Sequence, residues 1–250
     1  MASLTDNGAL SPMVRKLAAW AALSPEDERA ILELPYTVRS FSPGGYIVRD
    51  GDKPQNSCVL LSGFAYRHKI VGDGGRQILS IHMKGDLVDL HNSLLHTADH
   101  NVQALSQVEL ACIPHEAVKE LAFARPTVGV AMWYDTLVDA SIHREWIANV
   151  GRRDGRTRTA HLLCEFGVRL ETAGLGSTRE YDMPMTQEQL SDCTGLTPVH
   201  MSRSLKALES EGLVRRTKRA VSIDDWGRLA EAGDFRPDYL HVTMPGIPLL

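Results

Sequence analysis

Val199, Arg203 and Lys206 follow one another at intervals of four and three residues, with His200 and Ser202 beside them. On a helix that spacing puts the three on one face, opposite an apolar stripe of Met201, Leu205 and Leu208. Arginine can grip guanine in two places from the major groove, valine can touch a thymine methyl, and small polar groups can hold phosphate oxygens. The chemistry on offer is the reading of a duplex. A charged helix face standing alone is usually just a solvated face, so the weight falls on the elements that would position it.

Those elements are legible between residues 185 and 223. Thr186 and Gln189 have the spacing of a capping box, Leu190 and Cys193 supply the inward side of the helix it opens, and Gly195 lets the backbone reverse. Thr197 followed by Pro198 is a second cap, with proline where no amide donor is missed. Gly212 ends the second helix, and alternation on either side of Thr217, Lys218 and Arg219 predicts a hairpin with a basic tip. The whole reads as a helix-turn-helix with a wing. In it Arg203 contacts a base edge, and Ser202 and His200 meet phosphate or base. Thr186, Gln187 and Thr197 stand at the helix starts, where the DNA backbone would lie. Arg215, Arg216 and Lys218 of the wing are expected along flanking phosphates.

The order of these elements resembles the Crp/Fnr family, the catabolite activator and fumarate-nitrate regulators, and the likeness extends over nearly the whole chain. The resemblance implies an α+β fold: an N-terminal cyclic-nucleotide-binding-type β-roll, a long dimerisation helix and a C-terminal winged helix-turn-helix. It divides the chain into lead-in helices over 1–35, a sensory roll over 36–124, the dimerisation helix over 125–151, and a DNA-binding domain with its tail over 152–250. It further implies a homodimer on a palindromic operator of double-stranded DNA, RNA polymerase as a partner, and no enzymatic activity. The family's recognition helix commonly reads bases through a glutamate and an arginine preceded by serine, and the matching positions are Val199, Arg203 and Ser202. Valine cannot accept a hydrogen bond from cytosine, so the operator should depart from the family's commonest sites.

From residue 36 to 114 short apolar runs alternate with turn punctuation, including Gly44 and Gly45, Ser62 and Gly63, and Gly85 and Asp86. Many short strands at near-regular intervals indicate an antiparallel roll or barrel. Relatives that bind a cyclic nucleotide carry a Gly-Glu pair for the ribose and an arginine for the phosphate. Residues 86–104 contain no arginine, and Asp89 and Asp99 would repel a phosphate. Cyclic AMP and cyclic GMP are therefore not expected as ligands, which leaves another small-molecule effector or none, with Asp86, Asp89, His91 and His100 as the pocket residues. His91, His96 and His100, with His82 and His68 upstream, are the right type for a metal or haem iron. They form no HxH pair and no HxxxH pair on a helix, so the expectation is polar loop residues and no cofactor. An iron-sulfur cluster fares worse, since no cysteine precedes Cys58 where the oxygen-sensing relatives carry theirs. The competing reading is a metal- or haem-binding sensor or a metal-bearing, cupin-like enzyme domain, tethered to a DNA-binding domain. A constitutive DNA binder with a purely structural roll is a third.

A chain of 250 residues that is 43% hydrophobic and 23% charged is ordinary for two globular domains, and a net charge of -4 argues against a general nucleic-acid coat protein. Basic residues gather instead at Arg152, Arg153, Arg156 and Arg158 and again at 215–219. Cys58, Cys112, Cys164 and Cys193 form no CxxC pair and are expected as buried free thiols in a cytoplasmic protein without a signal peptide or membrane span. Residues 1–7 lack pattern, and helices are expected over 12–23 and 24–34. From Pro126 a helical period runs to about Val150 and stops at Gly151, with a stripe of Val130, Trp133, Leu137 and Ala140 beside one of Tyr134, Val138, Ile142 and Trp146. Two stripes call for two partners, the roll and the same helix of a second subunit; a single wide face buried within one subunit is the competing reading. Residues 151–158 form a hinge to a helix over about 156–173. A short helix starts near Asp224, and an extended tail over 235–250 packs on a neighbour.

Overall fold

The computed structural model describes residues 8–242. They pack as two units, one running to His68 and resuming over Ile81–Asp139, the other made of Lys69–Ser80 and the chain from Ala140 onward.

The first unit opens with α1 (Ser11–Ala18) and α2 (Pro25–Leu32). Ser24 caps α2 reciprocally with Asp27, an arrangement worth about 1 kcal/mol. The roll then alternates strands with tight turns: β1 (Thr37–Phe41), β2 (Tyr46–Val48), β3 (Asn56–Ser62), β4 (Ala65–Ile70), β5 (Arg76–His82), β6 (Leu87–Val88), β7 (Asn101–Ala104) and β8 (Val108–Pro114). They form two four-stranded sheets, ordered β1-β8-β3-β6 and β2-β7-β4-β5. The first sheet is covered on both faces, which is why β3 and β8 read as unbroken apolar runs. Cys58, Leu60, Leu110 and Cys112 belong to a core with Val48, Val102 and Ala104 of the second sheet. Val59, Ala111 and Ile113 belong instead to a core with Met13, Leu17 and Ile31 of the helices.

Two features were not legible in the sequence. Residues 86–104, where the sequence pattern marks no strand and sets the histidines on a loop, contain β6, a 3₁₀ turn (Leu90–Ser93) and β7. α3 (His115–Ala124) is a separate helix before the long α4 (Pro126–Arg152). α4 ends one residue past Gly151, and the break comes where Asp154 caps α5 (Gly155–Thr172) by accepting from the amides of Arg156 and Thr157. Along the first half of α4, Val128, Ala131 and Met132 are buried, whereas Val130, Trp133 and Leu137 are 53%, 66% and 51% exposed.

In the second unit α5 is the central element. α6 (Gln187–Thr194) and α7 (Pro198–Ser210) pack on it, followed by α8 (Trp226–Ala232), while β9 (Glu180–Asp182), β10 (Arg215–Thr217) and β11 (Ala220–Ser222) form a sheet ordered β10-β11-β9. Buried Glu165 accepts from the Trp146 indole and from the Tyr239 hydroxyl, tying the second half of α4 and a 3₁₀ turn (Pro237–Leu240) to α5. The first part of the expected tail is thus docked within its own chain, with Phe235 buried; residues 243–250 and 1–7 lie outside the described residues. All four cysteines are buried free thiols, and among the described residues no helix is long and apolar enough to cross a membrane.

Candidate functional site

The helix-turn-helix is assembled by short-range bonds. The Thr186 hydroxyl accepts from the Gln189 amide at 3.2 Å while the Gln189 side chain accepts from the Thr186 amide at 2.8 Å. Gly195 adopts φ 63°, and a Cβ there would stand 3.0 Å from Val150, so the corner needs glycine on both counts. Thr197 then caps α7 through the His200 amide, and the Gln187 side chain donates to the carbonyl of Pro198, locking one helix start to the next. Met201, Leu205 and Leu208 are fully buried. Val199 at 61%, His200, Arg203 and Lys206 face outward with Ser202 half-buried, and among the described residues neither Arg203 nor Lys206 pairs with a carboxylate.

In the wing, Arg215 pairs with Asp224 at 2.6 Å in an exposed ion pair and Arg216 with Glu209 at 2.8 Å, because the strand that carries them lies beside the end of α7 and the start of the next loop. Lys218, in left-handed backbone at φ 55°, and Arg219 form the turn between β10 and β11 and are exposed and unpaired among the described residues. In the second basic group Arg152 is exposed, whereas Arg153 bridges Glu145 and Asp234, Arg156 pairs with Glu211, and Arg158 donates to the carbonyls of Arg153 and Thr194. These three arginines hold helices together.

Inside the roll, the fold gathers residues that are distant in sequence. Asp89 Oδ1 lies 2.9 Å from His100 Nε2, 3.2 Å from the Arg67 guanidinium and 3.9 Å from His91 Nε2. Burial alone would raise the Asp89 carboxyl, but the His100 hydrogen bond and the Arg67 charge outweigh it and hold it at about 2. Arg67 also reaches Asp139 in α4 at 2.9 Å. Asp86 does not join this group through Asp89: its carboxylate is taken by Lys16 at 2.5 Å and the Met83 amide at 2.9 Å, which makes it a turn anchor. His96 is exposed and apart. Nothing in the sequence signalled Arg67 beyond a cation inside a strand pattern, nor its partner Asp139.

His82 is buried in the same region, and desolvation, followed by the charge of Arg67, pushes its imidazole down to about 3. A histidine whose folded pKa lies below its unfolded value favours folding fully above about pH 6.5 and loses that contribution as pH falls toward 3. Between pH 7 and 5 the first unit should lose about 1–2 kcal/mol. Burial lowers the His91 imidazole and so adds to the loss. His100 is raised because Asp89 and Asp99 outweigh its burial, and it opposes the loss. Denaturant melts across that window should show the decline, and His82→Gln should flatten it.

Comparison with known proteins follows the same division. Residues 38–125 match the family model of the cyclic nucleotide-binding domain and residues 157–232 that of the Crp-like helix-turn-helix domain. The chain belongs to the Crp/Fnr family of DNA-binding transcription regulators. Among its curated relatives, the transcriptional activator protein FnrL of Cereibacter sphaeroides is 29% identical over 86% of this chain and 88% of its own. The nitrogen fixation regulation protein FixK of Azorhizobium caulinodans is 25% identical over 82% and 80%. Among solved structures, FixK2 from Bradyrhizobium japonicum superposes with a TM-score of 0.73 at 21% identity, covering 80% of this chain and 98% of that one. These relatives do not favour the enzyme alternative. Within the Crp/Fnr framework, Val199 occupies the outward position at the start of α7, and Ser202 and Arg203 follow it on the helix.

Proposed function

We propose that this Crp/Fnr regulator acts as a cytoplasmic homodimer that reads two half-sites of a palindromic operator through α7 and engages RNA polymerase there, and that cyclic nucleotides do not control it. The observation that carries the DNA reading is the exposed, unpaired cationic face of α7 on a helix whose opposite side is wholly buried. Arg203 supplies base contact, Ser202 and His200 phosphate or base contact, Lys206 further positive charge, and Thr186, Gln187 and Thr197 the backbone contacts at the helix starts. Val199 admits thymine rather than cytosine at its position. Arg215, Arg216 and Lys218, with Arg219 beside them, carry the phosphate contact of the wing. Pairing of Arg67 with Asp89 and Asp139 supports the exclusion of a cyclic phosphate, because the buried guanidinium is already neutralised. The exposed Val130, Trp133 and Leu137 stripe supports dimerisation through α4.

An operator selected from random duplexes provides the test. Arg203→Ala should cost about 1–3 kcal/mol on that operator and relax specificity at one base pair, whereas Lys218→Ala should weaken operator and random DNA alike. Equal losses on both DNAs for Arg203→Ala would place the arginine outside the groove.

A further inference from the structure

We propose that the roll binds one divalent transition-metal ion per chain through Asp89, His91 and His100, and that this ion is the effector. The ligand atoms of these three residues, one carboxylate oxygen and two imidazole nitrogens, lie within 4.8 Å of one another. Sequence spacing hid this set because a 3₁₀ turn folds His91 back toward Asp89, while the chain returns at His100 just before β7. The rings of His91 and His100 stand 5.4 Å apart, close enough to converge on one ion.

Two further observations point to a cation. Asp89 Oδ2 is buried and has no hydrogen-bond partner among the described residues, so one ligand oxygen is available without breaking a bond. His100 Nδ1 lies 2.6 Å from the Asp99 carboxylate, the outer contact that fixes a metal-ligating imidazole with Nε2 turned to the ion. On binding, the ion takes the place of the Nε2 proton that otherwise bonds to Asp89, and that proton leaves to solvent. Two imidazoles and one carboxylate suit zinc, iron(II), cobalt(II) or nickel(II) rather than calcium or magnesium, which take oxygen ligands.

Arg67 gives the ion a consequence within the same unit. Its guanidinium is shared between Asp89 and Asp139, the latter on α4. A cation on Asp89 competes with the guanidinium for that carboxylate and shifts Arg67 toward Asp139. Occupancy is thereby coupled to the helix that carries the exposed stripe.

As an effector assignment this rests on the regulator reading, but the binding measurement uses full-length protein without DNA, so the two can fail separately. Chelator-stripped protein is titrated with cobalt(II) and zinc, followed by calorimetry and by visible cobalt absorption. One ion per chain is expected. His91→Ala and Asp99→Asn should each weaken binding about 10–100-fold, with His96→Ala unchanged. His91 is only half-buried, so its variant keeps the fold even if substitution of buried His100 does not. Absence of stoichiometric uptake, or uptake that His91→Ala leaves unaltered, overturns the site. If uptake is confirmed, operator binding with and without zinc tests the effector role, and equal affinity in the two states overturns that part alone.

Discussion

Trp133→Glu is expected to yield a folded monomer whose affinity for a two-half-site operator falls by about 100-fold or more. In the single chain Trp133 is 66% exposed between Val130 and Leu137, so the substitution removes nothing that the first unit uses to fold. The neighbouring residues that do support the fold point elsewhere: Trp20 stacks on Tyr134 at 5.2 Å and donates to Asp135 at 3.1 Å, and Val128, Ala131 and Met132 fill the core. In a symmetric pair the same position buries an aromatic ring against its copy, and a glutamate there sets two carboxylates facing each other in apolar surroundings. DNA affinity falls because the second half-site is then no longer delivered at high effective concentration by the first. Sedimentation velocity reports the mass and fluorescence anisotropy the affinity, with a single half-site as control. Dimeric mass together with undiminished operator binding would remove α4 from the interface.

How far the sequence anticipated the fold depended on whether the cause was local. α7 was legible because its start is set by Thr197 and Pro198, its end by Gly212 and its inward stripe by three residues within two turns, all of which act over a few bonds. β3 and β8 were legible because burial on both faces forces unbroken apolar runs. Gly151 marked the end of α4 to within one residue, and the break itself is set by the Asp154 cap of α5. Charge was the least legible property. Whether an arginine is offered to a partner or spent within the chain depends on carboxylates far off in sequence, as with Arg156 and Glu211 or Arg67 and Asp139. The wing is another case, since nothing in the sequence pairs Arg215 with Asp224 or Arg216 with Glu209.

The buried carboxylate of the second unit should be the most sensitive point for stability. Glu165 is 1% exposed and serves three partners: the Trp146 indole donates to both oxygens at 3.0 and 2.9 Å, the Tyr239 hydroxyl donates at 2.8 Å, and Arg169 lies at 3.5 Å. Removing it by Glu165→Ala leaves the buried indole N–H without its acceptor, takes one partner from the Tyr239 hydroxyl, which keeps His161 Nε2 at 3.1 Å, and removes a carboxylate from beside Arg169, at a cost of about 3–5 kcal/mol. Thermal melts of the full chain should show the transition that includes α5 lowered by roughly 10–20 °C. Glu165→Gln keeps one acceptor oxygen and the side-chain volume, so its loss should be roughly half as large, and the ranking separates lost hydrogen bonding from a simple cavity. Trp146 reports on the same contact from α4: its fluorescence should change in the folded state of Glu165→Ala and much less in Tyr239→Phe, which removes one donor but leaves the indole bonded. If Glu165→Ala melts like the unmodified protein, the carboxylate is not what joins the second half of α4 and the 3₁₀ turn at Tyr239 to α5, and apolar packing by Phe166, Phe235 and Leu240 carries that junction instead.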